Sequence, residues 1–78
     1  MIEKLRVKGL YDDFTSKVKL TDEQKRILDM LINKETIVKI SMEIGISQRT
    51  VNYEIKKIKE LYNSYLQMEV VKLLSLIN

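Results

Sequence analysis

The chain has 78 residues and a net charge of +3 at pH 7, with 45% hydrophobic and 32% charged residues. It contains no Cys and no His, which excludes disulfides, thiolate or imidazole chemistry and Cys- or His-based zinc sites; with no Pro and only two Gly it also has few chain breakers, which favours helix. One core barely covers the cost of ordering a chain this short, and none of the apolar residues is Ala, so a single domain of bulky core residues is expected, helped by self-association.

No N-terminal apolar stretch is long enough for a signal peptide. The apolar segment Val70 to Ile77 is interrupted by Lys72 and Ser75 and is too short to span a bilayer. A soluble, cytoplasmic protein with no membrane partner is expected. Residues 1–20 are net basic (Lys4, Arg6, Lys8, Lys17 and Lys19 against Glu3, Asp12 and Asp13), and residues 34–62 are net basic as well. A mildly basic middle is compatible with a polyanionic partner, and with many ordinary domains.

Taken in chain order, residues 1–19 form an N-terminal extension. Leu10, Tyr11, Phe14 and Val18 keep a helical spacing, which supports a short helix over about 10–18 whose apolar face packs on the rest; a frayed basic arm is the competing reading. Thr21-Asp22-Glu23-Gln24 fits a capping box, and Asp22 and Glu23 suit the positive end of a helix dipole. Ile27, Leu28, Leu31 and Ile32 then give one apolar stripe, which predicts a helix over about 22–33. After the polar connector Asn33-Lys34-Glu35, Thr36 can cap a second helix over about 37–44, lined by Ile37, Ile40 and Ile44.

Gly45 follows, where a left-handed residue ends a helix at low steric cost, and Ile46 can tuck into the core. Ser47 can cap a third helix over about 48–61, carried by Val51, Ile55, Ile58 and Leu61. Asn63-Ser64 reads as a break, and Leu66, Val70, Leu73, Leu74 and Ile77 line a final helix over about 64–77. No strand pattern is present, so the fold class is all-α: a helix-turn-helix bundle of four helices with the short N-terminal helix beside it. The domain reading is an extension over 1–19 followed by a helix-turn-helix domain over 20–78.

A short helix, a glycine turn and a longer helix is the arrangement that presents a helix to the major groove. Ser41 supplies a small residue where the two helices cross, and Ile40, Ile44, Ile46 and Val51 can lock the crossing. The outward side of the second helix holds Gln48, Arg49, Asn52 and Tyr53, the residues expected to touch base edges, since Gln and Asn can bond adenine and Arg can bond guanine. Thr36, Lys39, Ser47, Thr50, Lys56 and Lys57 are expected at phosphates. The bland alternatives stand beside these assignments: a solvated amphipathic face, simple capping by Thr36 and Ser47, a solvated Lys39 and a Tyr53 packed on a neighbouring helix. Glu54 would oppose phosphate if it faced DNA, so it is expected to point away or to pair with a lysine.

The stretch "LTDEQKRILDMLINKETIVKISMEIGISQRTVNYEIKKIKEL" resembles the LuxR/GerE-type DNA-binding domain. The matching positions include Leu20, Thr21, Ile27, Leu28, Leu31, Ile40, Ile44 to Ser47, Arg49 to Val51, Ile55, Ile58 and Leu61, and the resemblance extends over residues 20–77. Region 4 of bacterial sigma factors and several phage regulators share its strongest piece, Gly45 to Val51. The chain departs from that family at Lys34, where a Gly is common, at Ser41, usually Ala, and at Glu54, frequently His.

The resemblance implies a fourth helix that forms dimers, here through Leu66, Val70, Leu73, Leu74 and Ile77, whose apolar side chains exceed what one face of a small domain needs to bury. The alternative is that this helix simply caps the core over residues 10–18. The leading functional expectation is a small stand-alone transcriptional regulator that binds double-stranded DNA as a homodimer. Two alternatives remain: an interaction module of the same fold that binds RNA polymerase, a sigma factor or another regulator, and a phage DNA-packaging recognition subunit. No cofactor and no catalysis are expected, because nucleophile–base pairs and phosphate-cradling glycine loops are missing from the sequence.

Overall fold

The computed structural model describes residues 8–77, with the side chains of Lys8, Lys72, Leu73, Ser75, Leu76 and Ile77 left outside the description. The first part of the expected N-terminal extension, residues 1–7, lies outside it too, as does residue 78. Four helices follow one another without strands among the described residues: α1 (Lys8–Lys17), α2 (Asp22–Ile32), α3 (Ile37–Ile44) and α4 (Gln48–Ile77). The all-α class is as expected, and the helix boundaries at α2 and α3 fall within a residue of the sequence reading.

The helix starts are made by side chains, as the sequence suggested. Thr21 accepts the Gln24 amide while the Gln24 side chain accepts the Thr21 amide, both at 3.1 Å, closing a reciprocal capping box. Thr36 Oγ1 accepts the Lys39 amide at 3.1 Å and Ser47 Oγ accepts the Thr50 amide at 3.1 Å. Each bond satisfies a backbone donor that a helix start leaves without an intrahelical partner. No helix among the described residues is long and apolar enough to cross a membrane.

One expectation is corrected. The break at Asn63-Ser64 does not occur: α4 runs unbroken for 30 residues, so the two helices expected over 48–61 and 64–77 are one. At 1.5 Å per residue that helix is about 45 Å long, and it sets the 49 Å long axis of a molecule only 21 × 18 Å across. The reason lies on the buried side. Val51, Ile58, Tyr62 and Tyr65 are all buried, so the core-facing register passes through Asn63 and Ser64, which point outward. Asn and Ser cost a helix only about 0.5 kcal/mol each, whereas burying an aromatic side chain contributes about 1.5–3 kcal/mol.

The core gathers Phe14, Ile27, Leu28, Ile40, Val51, Ile58, Tyr62 and Tyr65, with all four helices contributing. The region is therefore not a frayed arm from Lys8 onward: α1 inserts Phe14, which meets Tyr62 and Tyr65 edge-on with ring centroids 5.3 Å away in each case. Edge-to-face contact places the positive rim of one ring on the negative face of another. Polar contacts ring this joint. Tyr65 donates to Asp13, Tyr11 donates to Asp29, and Lys17 bridges Glu69 at 2.9 Å and Asp13 at 3.3 Å. The Tyr65 hydroxyl is pushed up to about 12 by its bond to Asp13 and then by burial; Tyr11 is pushed up to about 12 by burial first and then by Asp29. The Tyr62 hydroxyl is buried with no hydrogen-bond partner among the described residues.

Candidate nucleic-acid interface

The candidate interface begins at the turn between α3 and α4. Gly45 adopts φ 80°, ψ 33°, the left-handed conformation expected there, and ends α3. The Gly45 and Ile46 amides both donate to the Ser41 carbonyl, at 2.9 and 3.2 Å, and the Ser41 hydroxyl donates to the Ile46 carbonyl. Ser41 thus does more than leave room at the crossing: it ties the turn to the last turns of α3. Ile40 and Val51 are fully buried on either side, and Ile44 and Ile46 pack partly against the same core. These contacts fix the direction in which α4 leaves the turn.

The same device occurs once more, without a glycine. Lys34 has φ 62°, and its amide and that of Glu35 donate to the carbonyls of Leu31 and Met30, both at 3.0 Å. This is the bonding of a Schellman turn at the end of α2, with a lysine where left-handed backbone favours Gly. It fixes the angle between α2 and α3.

From this scaffold the first turns of α4 project outward. Gln48, Arg49, Asn52 and Tyr53, the expected base-contacting residues, are all exposed, and so are Thr50, Lys56 and Lys57. The backbone therefore brings seven of the ten assigned residues together on one helix. Tyr53 is 56% exposed and is not packed on a neighbouring helix; Lys57 Nζ sits over its ring, 4.6 Å from the centroid. A hydrogen bond with the Tyr53 side chain is the first cause holding the Lys57 ammonium above its ordinary pKa.

The other assigned residues are differently occupied. Ser47 and Thr36 use their hydroxyls as caps, and the Ser47 hydroxyl is also within 2.9 Å of the Thr50 hydroxyl. Lys39 is exposed on α3 but pairs with Glu35 at 3.1 Å, which is the leading cause of its raised pKa. Among the described residues, neither Arg49 nor Lys56 nor Lys57 is held in an ion pair, while Lys17 and Lys39 both are. The one carboxylate within the first two turns of α4, Glu54, turns away from the outer side and accepts a bond from Gln24 Nε2 at 3.1 Å. Sequence reading identified Gln24 only as a cap; a buried-side position for Glu54, three residues after Val51, was the available signal for the contact.

At the far end of α4, Leu66 is exposed, Val70 is 53% exposed and Leu74 is 57% exposed. These three expected pairing residues follow one another at four-residue spacing and share a helix side. The side chains of the other two, Leu73 and Ile77, are outside the described part. Met68 and Val71 are exposed on a second flank, where with Ser64 and Gln67 they line a shallow apolar hollow. The same segment packs over α1, as the alternative reading has it: Tyr65 meets Phe14 and Glu69 pairs with Lys17. Comparison with protein-family models, with curated proteins and with solved structures finds no match to this chain.

Proposed function

We propose that the protein binds double-stranded DNA through the N-terminal half of α4 and that it acts as a small transcriptional regulator. The observation that carries this is the division of charge. Among the described residues, the cations of α4's first turns are exposed and held in no ion pair, while the single carboxylate there is drawn inward to Gln24. Free, exposed Arg and Lys beside exposed Gln and Asn are what a phosphate backbone and the base edges between its strands require. The preceding αL turn at Gly45 and the buried Ile40 and Val51 give the helix the fixed exit angle that entry into a groove needs. The likeness of Leu20 to Leu61 to LuxR/GerE-type domains supports the same reading.

In this reading Gln48, Arg49, Asn52 and Tyr53 meet base edges, and Ser47, Thr50, Lys56 and Lys57 meet phosphates. Thr36 and Lys39 lie at the rim on α3, where Lys39 must leave Glu35 to contribute. The apolar side of the C-terminal half supports pairing of two copies through Leu66, Val70 and Leu74. Asn52, Lys56, Lys59 and Asn63 run into Leu66, Val70 and Leu74 along one stripe at three- and four-residue steps, and all seven are exposed. DNA and a second copy would therefore meet one side of the same helix at its two ends.

The test is a binding titration on mixed-sequence duplex at several salt concentrations. Binding should weaken linearly on a log–log scale, and Lys56→Ala should lower the slope by about one unit for all sequences alike. Arg49→Ala should cost about 1–3 kcal/mol and relax preference at one position. Absence of salt-dependent binding overturns the reading. Sedimentation at micromolar protein should find dimer; a monomer that still binds DNA tightly removes the pairing proposal and leaves the DNA reading standing.

A further inference from the structure

We propose that Gln24 is a positioning residue for the reading helix: its side-chain amide holds the Glu54 carboxylate on the α2 side of α4 and so keeps that negative charge off the face offered to phosphate. The inference rests on the DNA-binding reading and deepens it by naming what controls the electrostatics of that face.

Gln24 is only 8% exposed, and a polar side chain taken out of water is costly unless its hydrogen-bonding groups find partners. Both ends of the amide are used. Oε1 accepts the Thr21 backbone amide at 3.1 Å, and Nε2 donates to Glu54 Oε2 at 3.1 Å, thirty positions along the chain. The first bond completes the capping box, a task that Glu performs as well as Gln. What distinguishes Gln here is the amide nitrogen, a donor that needs an acceptor across the helix interface. Glu54 supplies it. A Glu at position 24 would cap α2 equally and set two carboxylates against each other at that distance.

The contact also decides what remains on the outer side. Glu54 lies one turn from Thr50 and three positions from Lys57, close enough on a helix for an ion pair with that lysine. Committed to Gln24 instead, it forms no ion pair with Lys57 and acts on it only as a neighbouring charge; Lys57 lies over the Tyr53 ring and borders the shallow depression that Gln24 shares with Glu60, Leu61 and Ser64. A hydrogen bond to an ionised group is worth more than one between neutral groups, so this single bond is well suited to fix a charge in place. It joins the cap of α2, which carries no expected DNA contact, to the second turn of the helix that carries most of them.

The experiment measures duplex affinity for four chains: wild type, Glu54→Gln, Gln24→Glu, and the double variant in which the two residues are exchanged. Binding is read at a temperature where thermal melts show every chain folded, so that lost stability alone moves the melting point and leaves affinity unchanged. Glu54→Gln keeps an acceptor for Gln24 and removes a charge already held aside, so affinity should change by less than about twofold. Gln24→Glu should drive Glu54 outward and weaken binding by about tenfold, and the exchanged pair should return it to near wild type. Wild-type affinity in Gln24→Glu overturns the proposal. So does tightening of about fivefold or more in Glu54→Gln, which would mean that Glu54 faces phosphate. If Gln24→Glu does not fold, Glu54→Gln and the exchanged pair decide by the same criteria. Failure of these variants while wild type binds strikes the positioning role alone; absence of salt-dependent binding by wild type removes the DNA reading and the proposal with it.

Discussion

The two halves of α4 share a backbone and a buried side, and differ in what they show to the outside. From Gln48 to Leu61 the outer side is amide-rich and basic, and the helix is held by α2 and α3. From Tyr62 onward the buried side is aromatic and rests on α1, and the outer side turns to Leu66, Met68, Val70, Val71 and Leu74. Between Leu61 and Val71 the only Asp, Glu, Lys or Arg is Glu69, and Lys17 engages it. The inward register decides that the helix continues, and the outward residues are then free to differ. A change on the inward side should move stability, and a change on the outward side should move binding.

The strongest way to break the comparison is to remove the aromatic joint under the C-terminal half. Phe14→Ala leaves a cavity against Tyr62 and Tyr65 and should cost about 3–5 kcal/mol in urea unfolding, with amide hydrogen exchange accelerating first over residues 62–71. A loss under 1 kcal/mol (about the size of a surface effect) would mean that α1 is not part of the core.

Alkaline pH weakens the hold on α1 through two tyrosine hydrogen bonds, Tyr65 to Asp13 and Tyr11 to Asp29. Tyr11 and Tyr65 are both held up to about 12 in the folded chain, and an unfolded tyrosine releases its proton near 10. Between these values the unfolded chain binds fewer protons, so stability is fully present below about pH 10 and falls as pH rises toward 12. Urea midpoints across that interval should drop, and the Tyr11→Phe, Tyr65→Phe chain should lose distinctly less. An equal loss in both chains would show that the two bonds contribute nothing to the folded state.

The turns that aim the N-terminal half respond on a smaller scale and in opposite directions. Gly45→Ala places a side chain at φ 80° with no atom within 4 Å of the new Cβ, so the penalty is purely conformational, about 1 kcal/mol. Lys34→Gly relieves the same conformation at φ 62° and should gain about 0.5 kcal/mol, the relief being offset by the extra freedom of Gly in the unfolded chain. Thermal unfolding of both variants checks the pair. Shifts of the same sign would contradict the left-handed assignment at one of the turns.

The capping residues, Gly45 and the apolar stripe of α2 were legible in the sequence because each is a local rule. A hydroxyl reaching three residues ahead, a residue that tolerates positive φ and a repeat near 3.6 all act within a few positions. The expected break at Asn63-Ser64 is absent because the flanking buried tyrosines outweigh two polar, turn-favouring residues. Val51, Ile55, Ile58, Tyr62 and Tyr65 step by four, three, four and three, and that register already crosses the gap. Lys34 in a left-handed turn had no local signal, since a lysine there is held by the fold around it. The Gln24 to Glu54 contact spans thirty positions: the place of Glu54 three residues after Val51 marks it as inward, and nothing local names Gln24 as its partner. At the interface the outward residues of α4 could be named from periodicity alone, but which cations stay unpaired depended on where the carboxylates went.

The most direct measurement follows the backbone amides of the 15N-labelled protein by NMR as a mixed-sequence duplex is added at low and at high salt. Shifts should concentrate between Ser47 and Lys57, with a rim at Thr36 and Lys39, should leave residues 66–71 little changed, and should fade as salt rises. Shifts centred on 66–71, or shifts in the first half of α4 that persist at high salt, would contradict the division of α4 into a half that reads DNA and a half that does not.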